Sequence, residues 1–150
     1  MRIVCDNQKC TGCLACVVTC LDHHYPVDTK GAVAPRRYKK SVQPSGYTKY
    51  DTYSCYHCKS APCAAVCPVK AIQQENGWVM VNREVCIGCG QCVKTCPFGI
   101  PQWGRDGKMV KCDGCGGEPN CVKVCPNGAL TVEPQENSFE IRATQRREKQ

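Results

Sequence analysis

Residues 86–97 read C-I-G-C-G-Q-C-V-K-T-C-P. Cys86, Cys89 and Cys92 are each separated by two residues, Cys96 follows after three more, and Pro97 stands behind it. This is the spacing of a run that holds cubane 4Fe-4S clusters. A tight loop through the first three cysteines can aim three thiolates at three corners of one cubane, since Gly88 and Gly90 tolerate positive φ. Cys96 is expected to start or lie on a short helix leading away from the loop, and to ligate a different cluster. Pro97, lacking a backbone donor, ends that segment. One such run implies a partner run, and the chain contains three more.

The first is C-T-G-C-L-A-C-V-V-T-C, with Cys10, Cys13, Cys16 and Cys20 at the same spacing but Leu21 in the proline position. The second places Cys55, Cys58, Cys63 and Cys67 in C-Y-H-C-K-S-A-P-C-A-A-V-C-P, its third cysteine displaced by two residues. The fourth places Cys112, Cys115, Cys121 and Cys125 in C-D-G-C-G-G-E-P-N-C-V-K-V-C-P, its third displaced by three. Cys5 falls outside every quartet, and a lone cysteine on a strand reads as a buried structural thiol. Zinc is the poorer fit, because its sites are commonly assembled from separated C-x2-C knuckles rather than four cysteines in eleven residues. An isolated C-x3-C-x2-C triad, which would leave one iron open for chemistry, does not occur.

With 150 residues holding 17 Cys but only two Trp and two Phe, apolar burial cannot be the main stabiliser. A disulfide scaffold is the competing use of so many cysteines. Such scaffolds are usually short and secreted, and the opening M-R-I-V-C-D carries no apolar h-region, so a reducing cytoplasm is expected. Arg36-Arg37 lies inside the chain and precedes Tyr38 and lysines, unlike an export signal. No apolar run approaches the ~18 residues of a membrane span. The formal charge of +7 suggests an acidic partner. Four thiolate-bound clusters of about -2 each would bring the total to about -1. Residues 30–49 and the tail after Ile141 stay locally basic.

Between the runs the punctuation is regular. Met1 to Asp6 reads as a short strand. L-D-H-H-Y-P after Cys20 reads as a helix end carrying His23 and His24 and stopped by Pro26. Residues 27–54 alternate tyrosines with basic residues and turn at Pro44-Ser45-Gly46, a basic β-ribbon suited to docking a protein partner. No nucleic-acid motif accompanies the charge. His57 either hydrogen-bonds to sulfur or is merely exposed. V-K-A-I-Q-Q-E-N-G-W-V-M-V-N is a hairpin with an Asn-Gly turn, and F-G-I-P-Q-W-G-R-D-G-K-M-V repeats it in degraded form around Asp106-Gly107. A-L-T-V, ending at Val132, is a closing strand, and Phe139, Ile141 and the basic residues beyond read as an arm that orders against a partner.

The hairpin between Cys67 and Cys86 is what one two-cluster unit needs, so the second and third runs pair. Cys55, Cys58, Cys63 and Cys96 would bind cluster C, and Cys67, Cys86, Cys89 and Cys92 cluster D. The outer runs then pair around them: Cys10, Cys13, Cys16 and Cys125 for cluster A, Cys20, Cys112, Cys115 and Cys121 for cluster B. Sequential pairing, first run with second and third with fourth, stays open.

With all these runs present, residues 3–132 resemble the four-cluster ferredoxin-like electron-transfer subunits of larger redox enzymes, such as formate dehydrogenase, formate hydrogenlyase and carbon monoxide dehydrogenase. The resemblance implies an α+β fold of two dicluster modules, one inserted in the other, with little regular secondary structure. It also implies the nested ligand sets. The outer module would take residues 1–26 and 101–132, the ribbon linker 27–54, the inner module 55–100, and a partner-binding tail 133–150. The early C-x3-C with L-D-H-H resembles the branch serving hydrogenases and tungsten aldehyde oxidoreductase. Such a subunit is not itself an enzyme. It relays single electrons between a tungsten or molybdenum subunit and an acceptor or flavin subunit, and exposed ends would also permit head-to-tail self-association. The alternatives are a free-standing soluble polyferredoxin, or an electron relay for a hydrogenase or carbon monoxide dehydrogenase.

Overall fold

A computed structural model describes residues 1–26 and 29–136. The arm expected after Val132 therefore lies mostly outside the described residues, as does the beginning of the expected ribbon at positions 27 and 28.

Each strand signal becomes half of a two-stranded antiparallel ribbon. β1 (Arg2–Cys5) pairs with β8 (Leu130–Glu133), Arg2 opposite Glu133 and Cys5 opposite Leu130, so the start of the chain is tied to the end of the fourth run. Arg2 fastens this seam by ion pairs to Glu133 at 3.0 Å and Glu136 at 2.9 Å. β2 (Arg37–Val42) and β3 (Thr48–Tyr53) form the basic ribbon, closed by the Gly46 N–H donating to the Gln43 carbonyl at 2.9 Å. β4 (Ile72–Glu75) and β5 (Trp78–Val81) turn through Asn76 and Gly77 at φ 49° and 79°, the paired positive values that an Asn-Gly hairpin supplies. β6 (Gln102–Trp103) and β7 (Met109–Val110) keep only two residues each.

The helices are short, and their ends follow the cysteine-proline steps. α1 spans Ala15–His24, α2 Pro62–Ala65, α3 Gln91–Thr95 and α4 Asn120–Lys123. After Cys67, Cys96 and Cys125, proline biases its predecessor away from the helical region and the chain makes the same turn each time. The N–H groups of Lys70, Gly99 and Gly128 donate to the three cysteine carbonyls at 3.2 Å, with φ of 51°, 60° and 57°. Where Leu21 replaces proline, Cys20 stays helical and α1 continues to His24. Cys96, expected to start or lie on a helix, instead caps the C-terminus of α3 in an extended conformation (φ -67°, ψ 117°), because Pro97 follows it. Cys92 is the ligand candidate on that helix.

α1 packs on α4 and α2 on α3, so the helices associate first run with fourth and second with third. The core is interleaved with cysteines. Ile3, Trp78, Ile100 and Leu130 are buried with Cys16, Cys55, Cys112 and Cys121, and Tyr56 lies 4.6 Å from Phe98 ring to ring. Ala61, Ile72, Val79 and Met109 form a second cluster with Cys63 and Cys92. Trp78 locks β5 against the fourth run at Gly114, where a β-carbon would lie 2.3 Å from the indole and φ is +71°.

Gly114→Ala is expected to destabilise the folded protein more than Gly116→Ala by at least about 1 kcal/mol in urea titration. Both positions carry the left-handed strain of roughly 1–2 kcal/mol, but Gly116 has open space where Gly114 meets Trp78.

Candidate metal centre

The candidate ligands gather as the fold closes. One cavity is lined by Cys10, Cys13 and Cys16 from the first run and Cys125 from the fourth. A second is lined by Cys67 from the second run and Cys86, Cys89 and Cys92 from the third, among Ile72, Val81 and Met109. A third is lined by Cys55, Cys58 and Cys63 with Cys96, beside Phe98, Ile100 and Lys111. The remaining set gathers where α1 packs on α4, with Cys112, Cys121 and Cys115 as the electrostatic neighbours of the Cys20 thiol. Each group draws three thiols from one run and one from another.

Burial dominates the electrostatics. Burial first, with a smaller contribution from neighbouring cysteines, pushes the thiols of Cys20, Cys58 and Cys112 up to about 12 and Cys63 to about 11. Such thiols stay protonated near neutrality unless a bound cation displaces the protons. The backbone is arranged for sulfur carrying negative charge. N–H groups of Ala71 and Ala129 donate to Cys67 Sγ and Cys125 Sγ at 3.2 Å. His57 donates from its backbone to Cys55 Sγ at 3.4 Å, and Ile100, Met109 and Gly114 donate to Cys96, Cys86 and Cys112 Sγ at 3.5 Å. Tetrads of soft donors in apolar cavities, with amides aimed at sulfur, fit 4Fe-4S clusters.

The His57 side chain has a role that sequence reading missed. It is wholly buried, neither exposed nor bonded to sulfur: Nδ1 accepts the Val79 N–H at 2.9 Å and the ring meets Trp78 edge-on. Burial, then the Lys111 charge, hold the imidazole neutral by pushing its pKa down to about 2. His23 and His24 close α1 as expected and reach the fourth run. His23 Nδ1 lies 3.1 Å from Asn120 Nδ2 and His24 Nε2 lies 3.5 Å from Asp113 Oδ1, while their donor atoms and Cys115 Sγ fall within 4.8 Å of one another. Cys5 is only half-buried and lines the first cavity, its thiol pushed up to about 12 by burial against hydrogen bonds from Thr52. Arg36 and Lys111 are buried among the cysteines, and no local pattern distinguished them from solvated charges.

Two family models, both described as a 4Fe-4S dicluster domain, match residues 47–135 and 9–71. Two dicluster domains imply four 4Fe-4S clusters. The electron transport protein HydN of Escherichia coli is 35% identical over 91 residues, covering 60% of this chain and 52% of that protein. The formate dehydrogenase iron-sulfur subunit of Wolinella succinogenes is 39% identical over 94 residues, covering 61% and 46% respectively. Hydrogenase-4 component A of E. coli is 34% identical over 90 residues, covering 60% and 41%. The chain thus spans about half the length of the curated relatives it matches.

Cys5→Ala is expected to leave the iron content per chain unchanged. A loss of about four irons would instead make Cys5 a ligand of the first cavity.

Proposed function

This chain belongs to the 4Fe-4S dicluster domain family, and we propose that it is the electron wire of a larger oxidoreductase, with its four clusters arranged in one file. The observation that carries the reading is the drawing of each thiol tetrad from two runs. Cys10, Cys13, Cys16 and Cys125 hold site A; Cys20, Cys112, Cys115 and Cys121 site B; Cys55, Cys58, Cys63 and Cys96 site C; Cys67, Cys86, Cys89 and Cys92 site D. Residues 55–100 then form an inner dicluster module, with 1–26 and 101–132 wrapped around it.

The order A-B-C-D follows from the ligands that neighbouring sites place on one segment. Cys16 of A and Cys20 of B lie one turn apart on α1, and Cys121 of B precedes Cys125 of A by four residues. Cys63 and Cys67 join C to D in the same way, as do Cys92 and Cys96. Cys112 of B and Cys55 of C are close enough for their charges to interact, which links the two halves. Among the described residues the exposed cysteines are Cys13 in site A and Cys89 in site D, the two ends of such a file.

When bound, the clusters supply one-electron transfer. The protein contributes thiolates as ligands, amides that stabilise charge on sulfur, and apolar walls that exclude water. It has no catalytic step of its own. Its relatives are named as electron transport proteins and as subunits of formate dehydrogenase and hydrogenase. The partner proposed here is a tungsten or molybdenum subunit, with a flavin subunit or other acceptor at the far end, in a reducing cytoplasm that keeps the thiols free. The exposed ends also allow head-to-tail self-association. No helix among the described residues is long and apolar enough to cross a membrane.

Anaerobic purification of the complex on this chain should give about sixteen irons per chain, with tungsten or molybdenum alongside. Nickel would direct the same wire to a hydrogenase, and zinc in place of iron would overturn the reading. Pairing is read from double variants. Cys10→Ser with Cys125→Ser should lose no more iron than either alone, whereas Cys10→Ser with Cys20→Ser should lose about twice as much.

A further inference from the structure

Site B is one of the two interior sites of the proposed file. Cys20, Cys112 and Cys121 are each 6% exposed. An electron arriving there adds negative charge to a centre already near -2, where little water can stabilise it. Two buried cations lie against this site. Arg36 is 1% exposed; its Nη1 donates to Thr52 Oγ1 at 3.3 Å, while Nε and Nη2 find no oxygen or nitrogen acceptor among the described residues. The Lys111 ammonium donates to the carbonyls of Val79 and, at 2.8 Å, Cys112. Neither forms an ion pair with a carboxylate among the described residues. A buried cation without a counter-anion is costly, so its partner is to be sought in what surrounds it. Around Arg36 these are Cys121, Cys112 and Cys16; around Lys111, Cys63 and Cys112.

We propose that Arg36 and Lys111 are potential-setting residues, whose buried charges keep site B reducible so that electrons cross the middle of the chain. This rests on the four-cluster reading. Each step takes one electron from an external donor, the partner's reduced cofactor in the complex or dithionite in the test, and takes one cubane core from 2+ to 1+. Arg36 acts on B and more weakly on A, and Lys111 on B and C; the four cysteines of site D line a separate cavity that neither residue lines.

The test is a potentiometric titration of the iron-loaded full chain, followed by electron paramagnetic resonance. Arg36→Gln should lower the reduction equilibrium constant of one step at least tenfold, 59 mV for a one-electron couple. At least one other step should stay in place, and Arg36→Lys should restore most of the loss. Lys111→Gln should displace the same step and one more. Four unmoved steps in a fully loaded variant, or one uniform displacement of all four, would overturn the proposal. If both neutral variants fail to take up iron, the charge-keeping Arg36→Lys and Lys111→Arg decide: iron retained supports the charge requirement, and iron lost reduces both residues to packing. Absence of iron from the unaltered chain would sink the four-cluster reading instead.

Discussion

Negative charge on buried sulfur is the constraint on which the rest of this structure depends. Twelve of the sixteen candidate ligand thiols line cavities walled by Ile72, Val81, Ile100, Phe98 and Leu130, and burial is the leading cause that pushes Cys20 to about 12 and Cys63 to about 11. Loading them with metal creates anionic centres in a medium that solvates charge poorly. The backbone answers with amides aimed at Sγ, and the side chains answer with Arg36 and Lys111. The strongly basic sequence is thus partly internal. Arg36 and Lys111 lie against the sites rather than on the surface.

The same constraint accounts for the sparse secondary structure. A peptide that must direct three thiols and several N–H groups at one point cannot also run long helices or wide sheets. The chain instead repeats one device, a loop with residues at positive φ, a helix of a turn or so, and a cysteine-proline turn. The device recurs after Cys67, Cys96 and Cys125, where the amide four residues on returns to each cysteine sulfur. It fails after Cys20, where leucine lets the helix run on. That longer α1 carries His23 and His24 to Asn120 and Asp113, tying the first run to the fourth.

Apolar packing fills the spaces that the cysteines leave. Trp78 sits over Gly114, and Tyr50 occupies the position that a side chain on Gly12 would need. The basic ribbon is therefore packed against the first run, with Tyr38 stacked on Tyr50, while Arg37 reaches the carbonyls of Gly99 and Ile100 behind the third. Residues read from sequence as a linker thus brace both halves of the molecule.

What the sequence determined by itself was local: cysteine spacing, the Asn-Gly and Asp-Gly hairpins, the strand at each end, and the helix stops. These depend on φ preferences and on neighbours a few residues away. The exact seat of Cys96 depends on Pro97, which sets it one residue beyond the end of α3. Tertiary structure decided what long-range packing controls. It made His57 a buried prop for β5, brought Cys5 to the wall of the first cavity, and turned Arg36 and Lys111 inward, the buried Arg and Lys among the described residues. A lysine on the surface and one buried beside sulfur carry the same letter; only the completed fold removes the water that makes them differ.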